Sequence, residues 1–192
     1  MNIEGMTWLN PPPAAVTEGA HLSVTTGSES DFWRTTFYGF VHDNGHALLA
    51  PAPEEFTAEV WFEADYSAQY DQAGLMIHAD ATHWVKGGIE YVNGTPHVAV
   101  VITNGQSDWS QMPLAALTGP FGLRMTRAGD AVWVHYATEP GGLWKMVRLG
   151  HFPRGLALSA GPMACSPSRK DGGLVVRFAG FHLGAPVSRT PY

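Results

Sequence analysis

Apolar residues recur at every second position through most of this chain. In FTAEVWFEA (56–64), Phe56, Ala58, Val60, Phe62 and Ala64 fall on one side, and Thr57, Glu59, Trp61 and Glu63 on the other. That is the pattern of a strand with one buried and one polar face. The same period runs through HLSVTT (21–26), AGLMIHA (73–79), HWVKGGIEYV (83–92), FGLRMTR (121–127), AVWVHYA (131–137), LWKMVRL (143–149), GLALSA (155–160) and LVVRFAGFHL (174–183). HVAVVIT (97–103) is nearly continuous in apolar residues and predicts a central strand. No window carries a helical stripe, and the best candidate, QMPLAALTG, is broken by Pro113 and reads as a loop. About a dozen strands at 8–12-residue spacing predict an all-β fold of two stacked antiparallel sheets, a jelly-roll-like sandwich.

At 192 residues the chain suits a single domain spanning 1–192; NPPPAA and APAPEE are too short to link domains, and no internal repeat is present. Gly at 22 and Pro at 14 supply the many turns such a fold needs, and 45% hydrophobic residues argue against disorder. A net charge of −6, without a Lys/Arg stripe, disfavours nucleic acid as a partner. No run approaches the ~20 apolar residues of a membrane span, and MNIEGMTWLNPPP lacks a basic start followed by an apolar run, so a soluble, cytoplasmic protein is expected. The single cysteine, Cys165, forms no intrachain disulfide and has no histidine near it in ACSPS, so an inert thiol is expected.

HWVKGGIEYVNG (83–94) poses a chemical question. Asn93–Gly94 is a strong hairpin turn signal, yet Lys86 and Glu90 stand inside the strand before it, on the face of Trp84 and Gly88. At ~3.3 Å per residue they lie about 13 Å apart and cannot pair with each other. Either this face is solvated with scattered charges, or Trp84, Lys86 and Glu90 line a groove. Gly87 and Gly88 suit a groove, where a ligand or backbone approaches closely, and equally a bulge.

SDFWRTTFYGFVHDNGH (30–46) sets five aromatics among Asp31, Arg34, His42, Asp43 and His46. Rings beside Asp, Arg and His have the composition of a sugar site, where ring faces stack on C–H faces and polar groups hold hydroxyls. Phe37 and Phe40 are expected in the core, whereas Trp33 and Tyr38 suit core and site equally. His42 and His46 invite a metal reading, but they flank an Asn44–Gly45 turn rather than sharing a helix face, and no further ligands stand out, so neither metal nor cofactor is expected. TNGQSDWS (103–110) puts a carboxylate, Asp108, next to Trp109 at a strand start. The nucleophile elbow G-x-S-x-G, the dinucleotide fingerprint and the phosphate-loop pattern are all missing.

DFWRTTFYGFVHDNGH, YDQAGLMIHADATHWVKGGIEYVNG and VITNGQSDWS, in this order and spacing, resemble the regulation-of-enolase-protein family, a concanavalin A-like domain of otherwise unknown function. The resemblance spans about residues 6 to 185 and departs from the usual pattern before SDWS, where this chain reads NGQ. It implies a concanavalin A-like jelly-roll sandwich with a concave sheet. By motif position it places Asp31, Trp33, Arg34, Tyr38, His46, Asp71, Gln72, Lys86, Glu90, Asp108 and Trp109 at a ligand-binding groove. On that placement Asp71 or Asp31 is the natural partner of Lys86, and Arg34 of Glu90. Three functions follow as expectations: binding of a carbohydrate or small polyol; sugar processing by groove carboxylates such as Glu90 with Asp71 or Asp108, although the E-x-D-x-x-E signature of related glucanases is missing; and contact with a metabolic enzyme, as the family's name implies. Binding is the reading preferred here.

Overall fold

The structure, a computed structural model, describes residues 1–192. Sixteen strands follow one another without a helix. In chain order they are β1 (Thr7–Leu9), β2 (Ala14–Glu18), β3 (His21–Thr25), β4 (Phe32–Arg34), β5 (Val41–Asp43), β6 (His46–Ala52), β7 (Phe56–Ala64) and β8 (Gln72–Asp80). The second half adds β9 (His83–Val92), β10 (Thr95–Asn104), β11 (Gln106–Pro113), β12 (Phe121–Ala128), β13 (Ala131–Ala137), β14 (Lys145–His151), β15 (Leu158–Cys165) and β16 (Val175–Gly184). No helix is long and apolar enough to cross a membrane.

Two seven-stranded antiparallel sheets result, in the orders β1-β6-β15-β8-β9-β10-β11 and β14-β13-β12-β7-β16-β3-β2, with β4 and β5 paired as a separate ribbon. This is the all-β concanavalin A-like sandwich. β7 alternates as its sequence predicts: Phe56, Ala58, Val60 and Phe62 are buried against the facing sheet, while Glu59 and Glu63 are not. Leu75, Ile77, Val85, Ile89, Val98 and Val100 meet them from the first sheet, next to Leu123, Met125 and Phe178 of the second. Full burial of each such side chain contributes roughly 1.5–3 kcal/mol.

The turns follow from local chemistry. Asn93 (φ 51°) and Gly94 (φ 80°) both take left-handed conformations between Val92 and Thr95, the geometry of a two-residue hairpin matched to strand twist. Gly74 and Gly88 face each other across β8 and β9, and a Cβ on either would strike the opposing backbone. Close approach of two strands, rather than of a ligand, therefore explains Gly88. β15 extends past the expected strand end at residue 160 to Cys165. The sequence signal fades there because Pro162 has no N–H for the ladder, and pairing with β6 lapses at Gly161 and Pro162.

The outer face of the first sheet carries a second apolar cluster. Phe32 and Trp33 of the ribbon cover Ala47, Leu49, Met76, Trp84, Val101, Met163 and Cys165. Trp84 is thus a floor residue packed against Phe32, with ring centroids 6.0 Å apart, and does not line a groove. Phe37 and Phe40, expected in the core, are instead 93% and 43% exposed, because the loop joining β4 and β5 projects from the sheet.

Candidate functional site

Strand β9 alternates so that Val85 and Ile89 enter the main core while Lys86 and Glu90 rise from the opposite face, where both are buried. Neither charge is solvated there, so each requires a partner. The ribbon supplies one for Lys86: its Nζ donates to Asp31 Oδ1 at 2.8 Å. Asp31 is itself fixed, since its backbone N–H donates to Asn44 Oδ1 at 3.0 Å and Phe32 N–H donates to its Oδ1 at 2.8 Å. Gln72 lies directly opposite Glu90 on β8 and donates from Nε2 to Glu90 Oε1 at 3.2 Å. Trp109 reaches over from β11, its indole N–H donating to Glu90 Oε2 at 2.9 Å. The two acids are also joined: the same Gln72 nitrogen stands 3.5 Å from Asp31 Oδ1.

Aromatic rings wall this polar floor. Trp33 meets Trp109 edge-on at 6.4 Å between centroids and Tyr38 at 5.6 Å; Tyr38 stacks on Phe40 at 5.3 Å, and Phe40 meets His42 at 4.7 Å. Floor and wall enclose a cavity of about 670 Å³, within the range of small-molecule sites. Tyr70, Pro167 and Ser168 complete its rim.

Burial sets the electrostatics. It lifts the Glu90 carboxyl to about 7, against the pull of the Lys86 charge and the Trp109 N–H, with Asp31 adding to the rise. Burial opposes the charge on Lys86, but the Asp31 carboxylate, with Glu90, outweighs it and holds the ammonium above its ordinary range. Burial drives the Cys165 thiol up to about 12, so it is protonated and inert at neutral pH.

Of the eleven residues expected at the groove, the structure gathers seven around the cavity: Asp31, Trp33, Tyr38, Gln72, Lys86, Glu90 and Trp109. Four stand elsewhere. Arg34 does not pair with Glu90; its Nε donates to the carbonyl of Gly105 at 2.9 Å and docks the ribbon on the β10–β11 turn. His46 is buried with both ring nitrogens engaged, Nε2 accepting from Gly27 N–H and Nδ1 then donating to Asn10 O. Asp71 is fully buried and bound by Arg169 at 2.7 and 2.8 Å and by the N–H groups of Ser67 and Ala68. It is a brace rather than a groove ligand, fixing the segments that present Tyr70 and Ser168. Asp108 points away from the face of Trp109 and pairs with Arg148 of the other sheet at 2.7 Å.

Tyr70, Glu29, Asn44, Pro167 and Ser168 line the cavity without having been read as site residues. Tyr70 (φ 64°) and Glu29 (φ 52°) are held in left-handed conformations that nothing in the sequence announces. His42 does face the cavity, but no three His, Cys, Asp or Glu side chains converge so as to hold a metal ion.

The unused hydrogen-bonding capacity defines what this floor can do. Lys86 retains two N–H donors, and Asp31 Oδ2 and Gln72 Oε1 accept from none of the groups named. Donors and acceptors side by side under ring faces suit vicinal hydroxyl groups, each of which both donates and accepts.

Residues 8–186 match the model of a family described as Protein of unknown function (DUF1349). Regulation of enolase protein 1 from Saccharomyces cerevisiae is 39% identical over 183 residues, covering 95% of this chain and 91% of that protein. A crystal structure of a functionally unknown protein from Saccharomyces cerevisiae superposes with a TM-score of 0.91 at 38% identity, over 98% of this chain and 100% of the other. The carbohydrate-binding module CBM66 from Bacillus subtilis superposes with a TM-score of 0.60 at 13% identity, over 94% and 96%.

Proposed function

The chain belongs to the DUF1349 family, that of Regulation of enolase protein 1, and from that premise we propose that it binds a carbohydrate or related polyol in the cavity above β9. The observation that supports this reading is the placement of a buried Lys86 paired with a half-buried Asp31, with acceptors left over on Asp31 and Gln72, at the foot of a wall of four aromatic rings. An ion pair at a position of low solvation is a poor device for stability alone. Beneath stacked rings it is a suitable one for orienting hydroxyls. CBM66 shares the fold at an identity that conveys the fold only; the reading rests on the side chains. Crystals soaked in a mixture of monosaccharides and disaccharides test it: a sugar should appear against Trp33 or Trp109 with hydroxyls on Lys86 and Asp31, and a ring bound elsewhere, or none, sinks the proposal.

One observation favours catalysis as a second reading. Glu90, at about 7, exchanges its proton near neutrality and shares the Gln72 amide nitrogen with Asp31, which sets two carboxyl groups beside one cavity, the pairing that glycoside hydrolysis uses. Release of a chromogenic aglycone from aryl glycosides, lost in Glu90→Gln, would support it, and no release from any of them would argue against it. The name of the 39%-identical relative supports a third reading, contact with a metabolic enzyme, which a pulldown on immobilised enolase tests directly.

A further inference from the structure

The aromatic wall has two sides. Trp33, Tyr38 and Trp109 line the Lys86 cavity, and the same three rings line a second cavity of about 650 Å³ completed by Thr36, Phe37, Gln106, Ser107 and Asp108. Phe37 stands at its edge, 93% exposed. Leaving a phenyl ring in water forgoes the stabilisation its burial would contribute.

Nor is the ring exposed through looseness of its loop. Thr35 N–H donates to Phe40 O at 2.8 Å and Gly39 N–H to Thr35 O at 2.7 Å, closing the turn on itself. Trp33 Nε1 donates to Thr36 O at 3.1 Å, and Arg34 N–H to Ser107 Oγ at 2.9 Å, tying it to the wall and to β11. Within this turn Thr35 (φ 56°), Phe37 (φ 62°) and Gly39 (φ 74°) take left-handed conformations. For the two that are not glycine, such geometry is strained, and strain of this kind concentrates at ligand clamps. The fold therefore holds Phe37 outward, edge-on to Tyr38 at 5.1 Å, as the last ring of a series that begins over Lys86.

We propose that the site takes an extended carbohydrate chain of at least two units, one on the Lys86–Asp31 floor and the next beyond the Trp33–Tyr38–Trp109 wall, against Phe37 and Gln106. This rests on the carbohydrate reading and sharpens it. A single sugar needs only the first cavity and gives no reason for a rigidly presented ring past the wall. Ring faces at both stations accept sugar units by stacking, and the amide of Gln106 offers both a donor and an acceptor.

Calorimetric titration of the wild type, Phe37→Ala and Lys86→Met with glucose, xylose and mannose, and with their β-1,4-linked oligomers of two to six units, tests this. In the series that binds, the tetramer should bind roughly tenfold or more tightly than the monomer; Phe37→Ala should remove that gain, and Lys86→Met should weaken binding at every length. Equal affinity at all lengths, or a Phe37→Ala protein that keeps the full gain, overturns the extended-chain proposal while leaving a single-sugar site standing. Binding to no member of any series removes the carbohydrate reading together with this inference.

Discussion

Glu90 is a strand residue by its neighbours and a titrating acid by its surroundings. Its folded-state carboxyl, at about 7 because of burial, lies above the unfolded value of ~4.3. The native state consequently holds a proton that the unfolded chain loses between those values. Stability is unaffected below about pH 4, falls as pH rises toward 7, and carries the whole penalty above it, on the order of 3 kcal/mol. Glu90→Gln keeps an acceptor for Trp109 and removes the ionisation. Urea denaturation should find it more stable than wild type at pH 8 and equal at pH 4; equal stability at both would mean that Glu90 titrates normally. The Lys86–Asp31 pair behaves differently. Asp31→Ala leaves a buried ammonium unpaired and should cost about 3 kcal/mol, while the double variant Asp31→Asn with Lys86→Met should recover most of the loss; a double variant no better than the single would show that the pair's charges do not matter. By motif position the sequence suggested Asp71 or Asp31 for Lys86; the structure pairs it with Asp31, while Arg169 holds Asp71. Arg34 for Glu90 misled, since a backbone carbonyl 2.9 Å away had a stronger claim on Arg34 than charge type can reveal.

At the scale of strands, the site depends on how closely β8 and β9 approach. Gln72 reaches Glu90 because they are register partners, and that register runs through the facing pair Gly74 and Gly88. Gly88 takes φ 154°, and a Cβ there would collide with the carbonyl of Ala73. Gly88→Ala should lower stability by roughly 3 kcal/mol and red-shift the emission of Trp84 as the sheet opens; an unchanged melting temperature would show that the strands relax freely. The two sheets and most strands were legible because one-sided burial writes a period of two into the sequence. The ribbon was not. β4 and β5 have three residues each, too few for alternation to register, and they cover a face whose aromatics looked equally like core. Strand parity also separates Trp109, which faces the cavity, from its neighbour Asp108, which bonds Arg148 on the other sheet. Reading the two as a pair overlooked that alternation.

Across the whole molecule, the sandwich acts as a frame. Its main core fixes the backbone of β8, β9, β10 and β15, and their outward side chains form the floor on which the ribbon sets its rings. Buried Asp71 and the half-buried Arg169 brace the rim from two segments 98 residues apart in sequence. The fold class was readable from hydrophobic period and turn chemistry, and the floor residues from motif order. The brace was not, because a fully buried carboxylate and a groove carboxylate are the same letter, and what distinguishes them is the guanidinium brought by the far end of the chain. What the frame presents is one polar hollow under aromatic rings, and the central claim is that this hollow recognises sugar hydroxyls through Lys86 and Asp31. A glycan array probed in parallel with the wild type and the Asp31→Asn, Lys86→Met double variant addresses it most directly. The wild type should retain a defined subset of glycans that the folded double variant loses; retention of the same glycans by both proteins, or of none by the wild type, would contradict it.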